Sequence, residues 1–340
     1  MPIEINFMKN NIFKKKVILI TGATGSFGNC IVDELLKNYN FKKLIIFSRD
    51  ELKQFHMSNK FKNNKLRFLL GDIRDKDRFD FACKNVDIII HAAALKQVPA
   101  AEYNPDEFIK TNIIGATNII KAAIKNKVQK IISLSTDKAS SPINLYGATK
   151  LVSDKLFIAG NNIVGSQNTL FSVVRYGNVI NSRGSVIPFF LSQLTKKEFT
   201  ITHEEMTRFF MTIQQSVDFV IQSLKIMRGG EIFIPKLDAF KIINIAKKIN
   251  SLKKIKIIGL RPGEKIHETL FSKDESLRVN EFKSFFVLLP SISFNKKRNY
   301  LKYNNEKGKK IKKQFEYNSL DTSKTTNDAK LKKIILSCKI

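Results

Sequence analysis

The stretch Ser135–Lys150, STDKASSPINLYGATK, decides how the rest of the chain is interpreted. Just before it, Lys130–Leu134 is apolar and rich in β-branched residues, which predicts a buried strand. A helix is predicted over Leu145–Phe157, and it places Tyr146 and Lys150 four residues apart on one face. A lysine ammonium beside a phenol favours the phenolate and so turns a weak acid into a usable base. Taken alone, the same spacing also suits an ordinary exposed helix face.

A glycine-rich turn lies upstream of this stretch. The apolar run Val17–Ile20 predicts the first strand, and it leads directly into Thr21–Gly28, TGATGSFG. Its glycines follow the pattern G-x-x-G-x-x-G, and a helix is predicted over about 29–38. Glycine permits a tight turn and lets backbone amides approach a pyrophosphate at the positive end of a helix. Between a first strand and a helix, this pattern predicts dinucleotide binding.

The turn and the Tyr–Lys pair together resemble the extended short-chain dehydrogenase/reductase superfamily. That superfamily usually has Ser or Thr before the Tyr, whereas Thr136-Asp137-Lys138 adds a carboxylate and an amine. With RYGN at 175–178 and RPGEK at 261–265, the chain closely resembles the inverting UDP-N-acetylglucosamine 4,6-dehydratases of pseudaminic acid biosynthesis. The resemblance spans roughly residues 16–290, with a weaker similarity at 315–319, FEYNS.

We therefore expect an α/β fold, a doubly wound parallel Rossmann sheet with a smaller C-terminal α/β substrate lobe. The Rossmann domain is predicted at 14–180 and is completed by elements around 212–240. The substrate-binding lobe is predicted at 181–290, and a lysine-rich extension at 291–340.

The resemblance implies a redox-neutral dehydration. Oxidation of C4 of the sugar acidifies the C5 hydrogen, whose removal permits loss of the C6 hydroxyl before hydride returns to C6. Tyr146, aided by Lys150, would take the C4 hydroxyl proton, and Thr136 would hydrogen-bond the C4 oxygen. Asp137 would protonate the departing hydroxyl. Lys138 would remove the C5 proton, so it must be neutral when it acts, through burial or nearby cations. The identity of the group that reprotonates C5 stays open.

The end of the second strand favours NADP as the cofactor. Ser48-Arg49-Asp50 follows the apolar run Leu44–Phe47, and the first charged residue, Arg49, suits a 2′-phosphate. An NAD site usually has a carboxylate there, and Asp50 keeps that alternative open. In the family, the pair Asp72-Ile73 meets the adenine, and Asp72 is also interpreted as a helix N-cap. Small alanines after the fourth strand let a cofactor lie across the strand ends.

The predicted cofactor-binding residues are Thr21, Gly22, Thr24, Gly25, Ser26, Phe27, Gly28, Ser48, Arg49, Asp50, Asp72, Ile73, Ala92, Ala93, Lys96, Leu134, Ser135, Tyr146, Lys150 and Val179. The predicted substrate-binding residues are Lys96, Asn178, Arg208, Arg261 and Glu264. A diphosphate needs cations, which Arg183 also offers, although a surface ion pair is the alternative for Arg208, Arg261 and Glu264. Asn112 matches an Asn that steadies the Tyr–Lys pair through a helix kink and a water, or is a plain polar helix residue.

The amino-acid composition indicates which classes of partner the chain can bind. The chain has 340 residues and a net charge of +29. The lysines are spread along the chain among many Asn and Ile residues, which favours a compositional bias over a nucleic-acid-binding stripe. We expect no nucleic-acid partner, although such a field would attract an anionic sugar nucleotide. No apolar run approaches about 18 residues, so a soluble cytoplasmic protein without membrane insertion is expected.

Cysteine and histidine positions indicate no metal site. Cys30, Cys83 and Cys338, and the histidines at 56, 91, 203 and 267, have no ligand or redox spacing. His91 is expected to be a packed strand-end residue. The resemblance also implies a homo-oligomer, a hexamer in the family.

Three alternatives to an inverting dehydratase stay open at this point. The first two are a retaining nucleotide-sugar 4,6-dehydratase and a C4 epimerase, which releases no water and has no use for Asp137-Lys138. A regulator that senses NADP without turnover belongs to another class, and intact Tyr, Lys, Asp and Lys residues count against it.

Overall fold

The computed structural model describes residues 12–165, 168–180, 182, 184–292 and 298–336, so that Arg183 and Cys338 lie outside the described residues. The strands are β1 (Val17–Thr21), β2 (Lys43–Ser48), β3 (Leu66–Leu70), β4 (Ile88–His91), β5 (Lys130–Thr136), β6 (Leu170–Tyr176), β7 (Asn178–Val179), β8 (Glu198–Ile201), β9 (Thr207–Met211), β10 (Ile232–Pro235), β11 (Asp238–Lys241), β12 (Lys254–Ile257), β13 (Thr269–Phe271), β14 (Val279–Glu281), β15 (Phe285–Leu288), β16 (Lys302–Tyr303), β17 (Glu306–Lys307), β18 (Lys309–Lys310) and β19 (Tyr317–Asn318). The α-helices are α1 (Ser26–Asn38), α2 (Glu51–Lys60), α3 (Lys76–Ala82), α4 (Val98–Tyr103), α5 (Pro105–Phe108), α6 (Gly115–Lys125), α7 (Leu145–Ile163), α8 (Val186–Ser192), α9 (Ile213–Ile226), α10 (Ile242–Ile249), α11 (Lys273–Ser276), α12 (Ser319–Thr325) and α13 (Asp328–Leu336). A π-helical segment spans Ile109–Ile114, and a 3₁₀ turn spans Asp137–Ala139.

A large sheet, in the order β18-β14-β15-β10-β6-β5-β4-β1-β2-β3, forms the centre of the molecule. The strands from β3 to β10 in that order are all parallel. All five residues of β1, VILIT, are buried, and Leu19 pairs with Ile45 on one side and Ile89 on the other. The chain builds outward from β1 in both directions, so the boundary between β1 and β4 is the switch point where such sheets bind ligands. The predicted doubly wound parallel sheet is confirmed.

Alternate residues of β1 enter two separate cores. Ile18 and Ile20 pack in a buried cluster with Val32 of α1 and Val220 of α9. Leu19 joins a second cluster that includes residues of α6. Because side chains alternate between the faces of a strand, these clusters lie on opposite faces of the sheet, each covered by helices.

The smaller α/β lobe is also confirmed. Its strand β9 pairs with β7 in parallel and with β11 antiparallel, and β8 pairs with β12 in parallel. Its core is separate from the other two and includes Phe190, Phe199, Ile245 and Leu331. The predicted limits at residues 180 and 290 stay predictions.

The last part of the chain returns to both units. Strand β15 extends the large sheet antiparallel to β10, β14 pairs antiparallel with β15, and β18 pairs antiparallel with β14. Farther on, β19 pairs antiparallel with β13, with Thr269 opposite Asn318. The segment FEYNS therefore runs beside the strand that follows RPGEK. Within the described ranges, no helix has the length and apolar character needed to cross a bilayer.

Candidate functional site

A cavity of about 760 Å³ lies where β1, β2, β4 and β5 end, and it extends to the smaller lobe. Among the described residues that the sequence predicts to bind cofactor or substrate or to take part in catalysis, Thr21 alone does not line it. The lining ones are Gly22, Thr24, Gly25, Ser26, Phe27, Gly28, Ser48, Arg49, Asp50, Asp72, Ile73, Ala92, Ala93, Lys96, Leu134, Ser135, Thr136, Asp137, Lys138, Tyr146, Lys150, Asn178, Val179, Arg208, Arg261 and Glu264. Their individual roles stay predictions.

Thr21 instead supports the floor of the cavity. Its hydroxyl lies 2.8 Å from Nδ1 of His91 and accepts hydrogen bonds from the backbone amides of Ala92 and Ala93, both at 3.2 Å. Burial, together with the charge of Lys150, lowers the pKa of His91 to about 3, so its imidazole is neutral. His91 is thus a packed residue at the end of β4.

The glycine-rich turn fits a closely approaching pyrophosphate. Gly22 has a φ of 65°, and a Cβ there would lie 2.8 Å from backbone atoms of Ala93. A Cβ at Gly28 would lie 2.0 Å from the carbonyl oxygen of Ala23, so the turn packs tightly under α1. Within this described segment, α1 has Gly25 as its N-cap and no side-chain cap hydrogen bond. Side chains are thus kept out of the space where helix amides bind anions.

Two charged side chains follow β2: the guanidinium of Arg49, and the carboxylate of Asp50, which is bound within the first turn of α2. Asp50 caps α2 by accepting a hydrogen bond from the Lys53 amide at 2.9 Å, and it also pairs with the Lys53 ammonium. Arg49 is half-exposed in the cavity, and its Nη1 lies 3.5 Å from Oδ2 of Asp72. The cavity therefore offers a guanidinium at the position where a 2′-phosphate is expected.

Asp72 does not cap a helix, and the interpretation of it as an N-cap is wrong. The cap of α3 is Asp75, whose carboxylate accepts from the Arg78 amide at 2.9 Å. Asp72 accepts instead from the backbone and side chain of Arg74, at 3.0 and 2.9 Å. Although burial opposes it, these hydrogen bonds hold the pKa of Asp72 below its usual value, so the carboxylate is ionised.

The acid–base residues meet because α7 begins beside the 3₁₀ turn that ends β5. Asn144 starts the helix by accepting from the Gly147 amide at 2.8 Å. In the turn, the Lys138 ammonium lies 3.0 Å from Oδ1 of Asp137, and Thr136 donates to the same oxygen at 3.0 Å. On the helix, Lys150 donates to the carbonyl oxygen of Leu134 at 2.8 Å.

Lys138 was expected to be a neutral amine when it acts, but in this structure its amine is protonated. Burial favours the neutral amine, but the carboxylates of Asp137 and Glu268 outweigh it and hold the pKa of Lys138 above its usual value. The positive charge of Arg208 lowers the pKa of Lys138, but by less than the two carboxylates raise it. In this arrangement Lys138 is an ammonium, because Glu268 places a second carboxylate 2.9 Å from it.

The phenol of Tyr146 is also a weaker acid than the Tyr–Lys spacing predicts. Burial raises the pKa of Tyr146 to about 12, although Lys138 and a hydrogen bond with Thr136 oppose the rise. Burial likewise lowers the pKa of Lys150, against the attraction of Asp154. The largest influence on both groups is the loss of water.

Asn112 lies in the π-helical segment, whose widened turn is the kink expected there. Its side-chain oxygen accepts from the Leu95 amide at 3.0 Å, and its amide group donates to the Leu95 carbonyl at 2.9 Å and to Thr149 Oγ1 at 3.1 Å. Asn112 thus ties the loop after β4 to α7, the helix that carries Tyr146.

The predicted substrate residues all line the cavity, and two of them, Arg208 and Glu264, lie close together. Arg208 donates to the carbonyl oxygens of Thr207, Ile266 and Lys265 at 2.7 to 2.9 Å, and it lies 3.7 Å from Glu264. Arg261 is exposed at the entrance. Burial, and then Lys138, lowers the pKa of Lys96. Several cations therefore face a part of the cavity that could hold a diphosphate.

Sequence reasoning missed two groups of buried charges. Glu268 is the first, and no local spacing connects it with Lys138. The second is Arg175, whose guanidinium lies 3.4 Å from Asp154 and 3.2 Å from Glu275, while Ser135 donates to Asp154 at 2.8 Å. A signal for Asp154 was present, since it follows Lys150 by four residues on the same helix.

Comparisons with known proteins identify the family of this chain. A family model described as "Polysaccharide biosynthesis protein" matches residues 18–290. A Campylobacter jejuni (strain 81-176) protein named UDP-N-acetylglucosamine 4,6-dehydratase (inverting) is 50% identical over 328 residues, which cover 95% of this chain and 98% of that protein. A Rickettsia bellii (strain OSU 85-389) protein named UDP-glucose 4-epimerase is 43% identical over 334 residues, covering 96% and 97%.

The solved structure of Pen from Bacillus thuringiensis superposes with a TM-score of 0.86 at 38% identity, covering 96% of this chain and 99% of that one. Among the described residues, no group of three or more His, Cys, Asp or Glu side chains is arranged to hold a metal ion. The family model covers well over half of the chain and the relatives match nearly all of it. This chain is therefore a member of the polysaccharide biosynthesis protein family, with the fold of the short-chain dehydrogenase/reductase superfamily.

Proposed function

We propose that this protein is an NADP-dependent UDP-N-acetylglucosamine 4,6-dehydratase that inverts C5. The observation that carries the proposal is the buried contact between Asp137 and Lys138 in the cavity that also contains Tyr146 and Lys150. Oxidation alone needs only a Tyr–Lys pair, whereas elimination of water also needs an acid and a base beside the sugar. The 50% identity to the Campylobacter jejuni dehydratase supports the same activity.

The surroundings of Asp137 suit an elimination. Burial raises the pKa of Asp137 above its usual value, more than Lys138 lowers it, so Asp137 can carry the proton that the departing C6 hydroxyl needs. Tyr146 would remove the C4 hydroxyl proton while Thr136 holds the C4 oxygen. Lys138 would remove the C5 proton. NADP, when bound, would supply the hydride acceptor at C4 and the hydride donor at C6.

The choice of NADP is supported by the end of β2. Arg49 faces the cavity with much of its guanidinium exposed, whereas Asp50 is occupied by the first turn of α2. A planar guanidinium binds a 2′-phosphate through two parallel hydrogen bonds, and a ribose without that phosphate offers no such partner.

The UDP-sugar would be held from the smaller lobe. Arg208, Arg261 and Lys96 line the cavity and would bind the diphosphate, and Glu264 would accept from ribose hydroxyls. Asn178, at the start of β7, would contact the sugar. Three cations lining the cavity favour a diphosphate over a neutral sugar.

The C4 epimerase is the second candidate, because the Rickettsia relatives bear that name at up to 43% identity. An epimerase returns hydride to C4, so it needs no group to protonate a leaving hydroxyl. The buried Asp137–Lys138 pair therefore favours the dehydratase. A retaining dehydratase would use the same residues and differ only at C5.

The test is incubation of the purified protein with UDP-N-acetylglucosamine and NADP. Loss of one water by mass, without added reductant, supports the dehydratase, whereas an isomer of unchanged mass supports the epimerase. In heavy water, NMR of the product should show one deuterium at C5 and an inverted C5 centre. Exchange with retained configuration would select the retaining enzyme, and binding of NADP without turnover would select a regulator.

We also propose that the product, a UDP-2-acetamido-2,6-dideoxy-L-arabino-hexos-4-ulose, is the first intermediate toward pseudaminic acid for flagellin or surface glycans. The enzyme would act in the cytoplasm as a homo-oligomer, a hexamer by family resemblance.

A further inference from the structure

Two of the predicted substrate-binding residues, Arg261 and Glu264, lie on the loop between β12 and β13. Both line the cavity, and they form a turn in which the Glu264 amide donates to the Arg261 carbonyl at 3.0 Å and the Arg261 amide donates to Oε2 of Glu264 at 3.2 Å. The loop starts at Ile258, whose amide donates to the Ile201 carbonyl at 2.9 Å. The position of the two residues therefore depends on what holds the loop between its ends.

The far end of this loop is anchored by several hydrogen bonds. Arg208 of β9 donates to the carbonyl oxygens of Lys265 and Ile266 at 2.7 and 2.9 Å. The Glu268 amide donates to the Ser319 hydroxyl at 2.9 Å, and the Ser319 amide donates back to the Glu268 carbonyl at 2.8 Å. These hydrogen bonds come after the turn in the chain, so they fix the approach to β13 and leave the turn to be fixed by another contact.

Asn144 supplies that contact. Its side-chain amide donates at 2.7 Å to the carbonyl oxygen of Gly263, which lies inside the turn. Within the described ranges, no other hydrogen bond joins residues 259–264 to the rest of the chain. The approach is close, because a Cβ on Gly263, whose φ is 70°, would lie 2.8 Å from Cβ of Asn144 and 3.1 Å from Cγ1 of Val98. Glycine therefore lets the loop backbone reach the start of α7.

The same side chain begins the helix that carries Tyr146. Oδ1 of Asn144 accepts from the Gly147 amide at 2.8 Å, while the NH₂ group of Asn144 binds the loop. The partners determine this orientation, since a backbone amide can only donate and a backbone carbonyl can only accept. Aspartate would cap the helix as well as asparagine does, but an ionised carboxylate has no hydrogen to donate. The contact with the loop thus needs the amide of asparagine.

We propose that Asn144 is a positioning residue for substrate binding, which ties the loop that carries Arg261 to the first turn of the helix that carries Tyr146. The inference rests on the proposed function, in which this loop binds UDP and Tyr146 acts on the sugar. Asn144 itself does not line the cavity, so it acts through the loop and not on the ligand. A loop that is already in place loses less conformational freedom when it binds a diphosphate, which raises the affinity.

The test is Asn144→Asp, which keeps the helix cap and removes the donor. Titration with UDP should show an affinity about tenfold lower than that of the wild type, the scale of one lost hydrogen bond, while NADP affinity changes by less than about twofold. In turnover, KM for UDP-N-acetylglucosamine should rise about tenfold and kcat should fall less than about threefold, because the contact acts on binding. Equal UDP affinity in the variant and the wild type would overturn the inference.

Hydrogen exchange without any ligand measures the position of the loop directly. Amides in a peptide that covers residues 259–264 should exchange about tenfold faster in Asn144→Asp, whereas those of α7 should keep their wild-type rates. Faster exchange in α7 together with weaker NADP binding would mean that the variant damages the helix, and would overturn the positioning role. Asp75→Asn makes the opposite replacement at the exposed cap of α3 and should leave loop exchange and UDP affinity unaltered.

A second variant separates loss of the contact from the added negative charge. Gly263→Ala is uncharged and disturbs the same contact from the loop, so it should also lower UDP affinity by about tenfold. If both substitutions act on one contact, the double variant should bind UDP at most about twofold more weakly than either single variant. Fully additive losses would overturn the inference, and so would unchanged UDP affinity in Gly263→Ala, which also serves if Asn144→Asp does not fold.

Failure of the proposed function gives a different result. A wild type that binds UDP and loses affinity through Asn144→Asp, yet removes no water from UDP-N-acetylglucosamine, refutes the dehydratase and keeps the positioning role. A wild type that dehydrates the sugar, with an Asn144→Asp variant that matches it in UDP affinity and KM, refutes the positioning role alone. A wild type that does not bind UDP refutes both.

Discussion

A Cβ atom on Gly147 would lie 2.2 Å from the carbonyl oxygen of Lys138, so α7 touches the 3₁₀ turn at a point where only hydrogen fits. Gly147 follows Tyr146 and faces the turn that carries Lys138. The distance between the phenol and the ammonium therefore depends on the absence of a side chain at this position.

Gly147→Ala should push α7 away from the turn. We expect a loss of about 1–3 kcal/mol of stability, and a fall in dehydration of about 10²-fold because a shift near 1 Å misplaces the reacting groups. Thermal unfolding and turnover measure the two effects. Lys155→Ala, exposed on the same helix, is the control, and full activity of Gly147→Ala would show that the turn can move without cost.

Lys138→Ala should abolish deuterium exchange at C5 and leave NADP affinity unchanged. The ammonium lies in the part of the cavity next to the smaller lobe, whereas the glycine-rich turn lies at the other end. NMR in heavy water and a binding titration give the two values. Lys256→Ala, an exposed lysine paired with Glu198, should leave both unaltered. Near wild-type exchange without Lys138 would mean that another group is the base.

Arg49→Ala should weaken NADP far more than NAD. Loss of a charge-assisted contact to the 2′-phosphate costs about 1.5–3 kcal/mol, which is roughly ten- to a hundredfold in affinity. Arg67→Ala is a matched control, since Arg67 donates to backbone oxygens on the exposed side of β3. Equal weakening of both cofactors in a binding titration would show that Arg49 has only a structural role.

Glu231 should make the stability of the fold depend on pH. Its carboxylate is buried before β10, and burial raises its pKa to about 7, against a hydrogen bond from the Arg228 amide. A raised folded-state pKa stabilises the protein fully below the unfolded value of 4.5, and the contribution disappears as pH rises through 7.

Glu231→Gln removes this dependence. The free energy of unfolding of the variant, relative to the wild type, should rise by up to roughly 3 kcal/mol between pH 4.5 and pH 8.5. Chemical denaturation at both pH values measures the difference. Glu281→Gln, whose half-buried carboxylate pairs with Lys236, should show no such change, and a constant difference for Glu231→Gln would mean that its pKa is not raised.

The sequence was sufficient for the large sheet and for most of the cavity lining, because both follow from local patterns. Apolar runs such as VILIT predict buried parallel strands, and the residues that follow them must meet at one edge of the sheet. The tight packing at the glycine-rich turn followed from a single motif, whereas the helix kink at Asn112 was implied by the resemblance to the superfamily.

What the sequence could not predict depends on contacts between distant segments. The charge of Lys138 is set by Glu268, which comes from the loop before β13, and no spacing in the chain relates the two residues. Asp72 was misjudged for a more local reason, since Asp75 competes for the same helix start and lies three residues closer to it. Burial raises the pKa of Tyr146 by an amount that helix periodicity does not encode.

The two hydrogen bonds between Glu268 and Ser319 also bear on how the protein is made. A ribosome synthesises the glycine-rich turn, the Tyr–Lys helix and Glu268 itself long before Ser319 leaves the exit tunnel. The nascent chain can therefore form a nucleotide-binding sheet early, but it cannot fix the carboxylate beside Lys138 until Ser319 has emerged. We expect chains truncated before residue 315 to bind cofactor without catalysing elimination, so that a chain interrupted during translation does not release reactive keto-sugar.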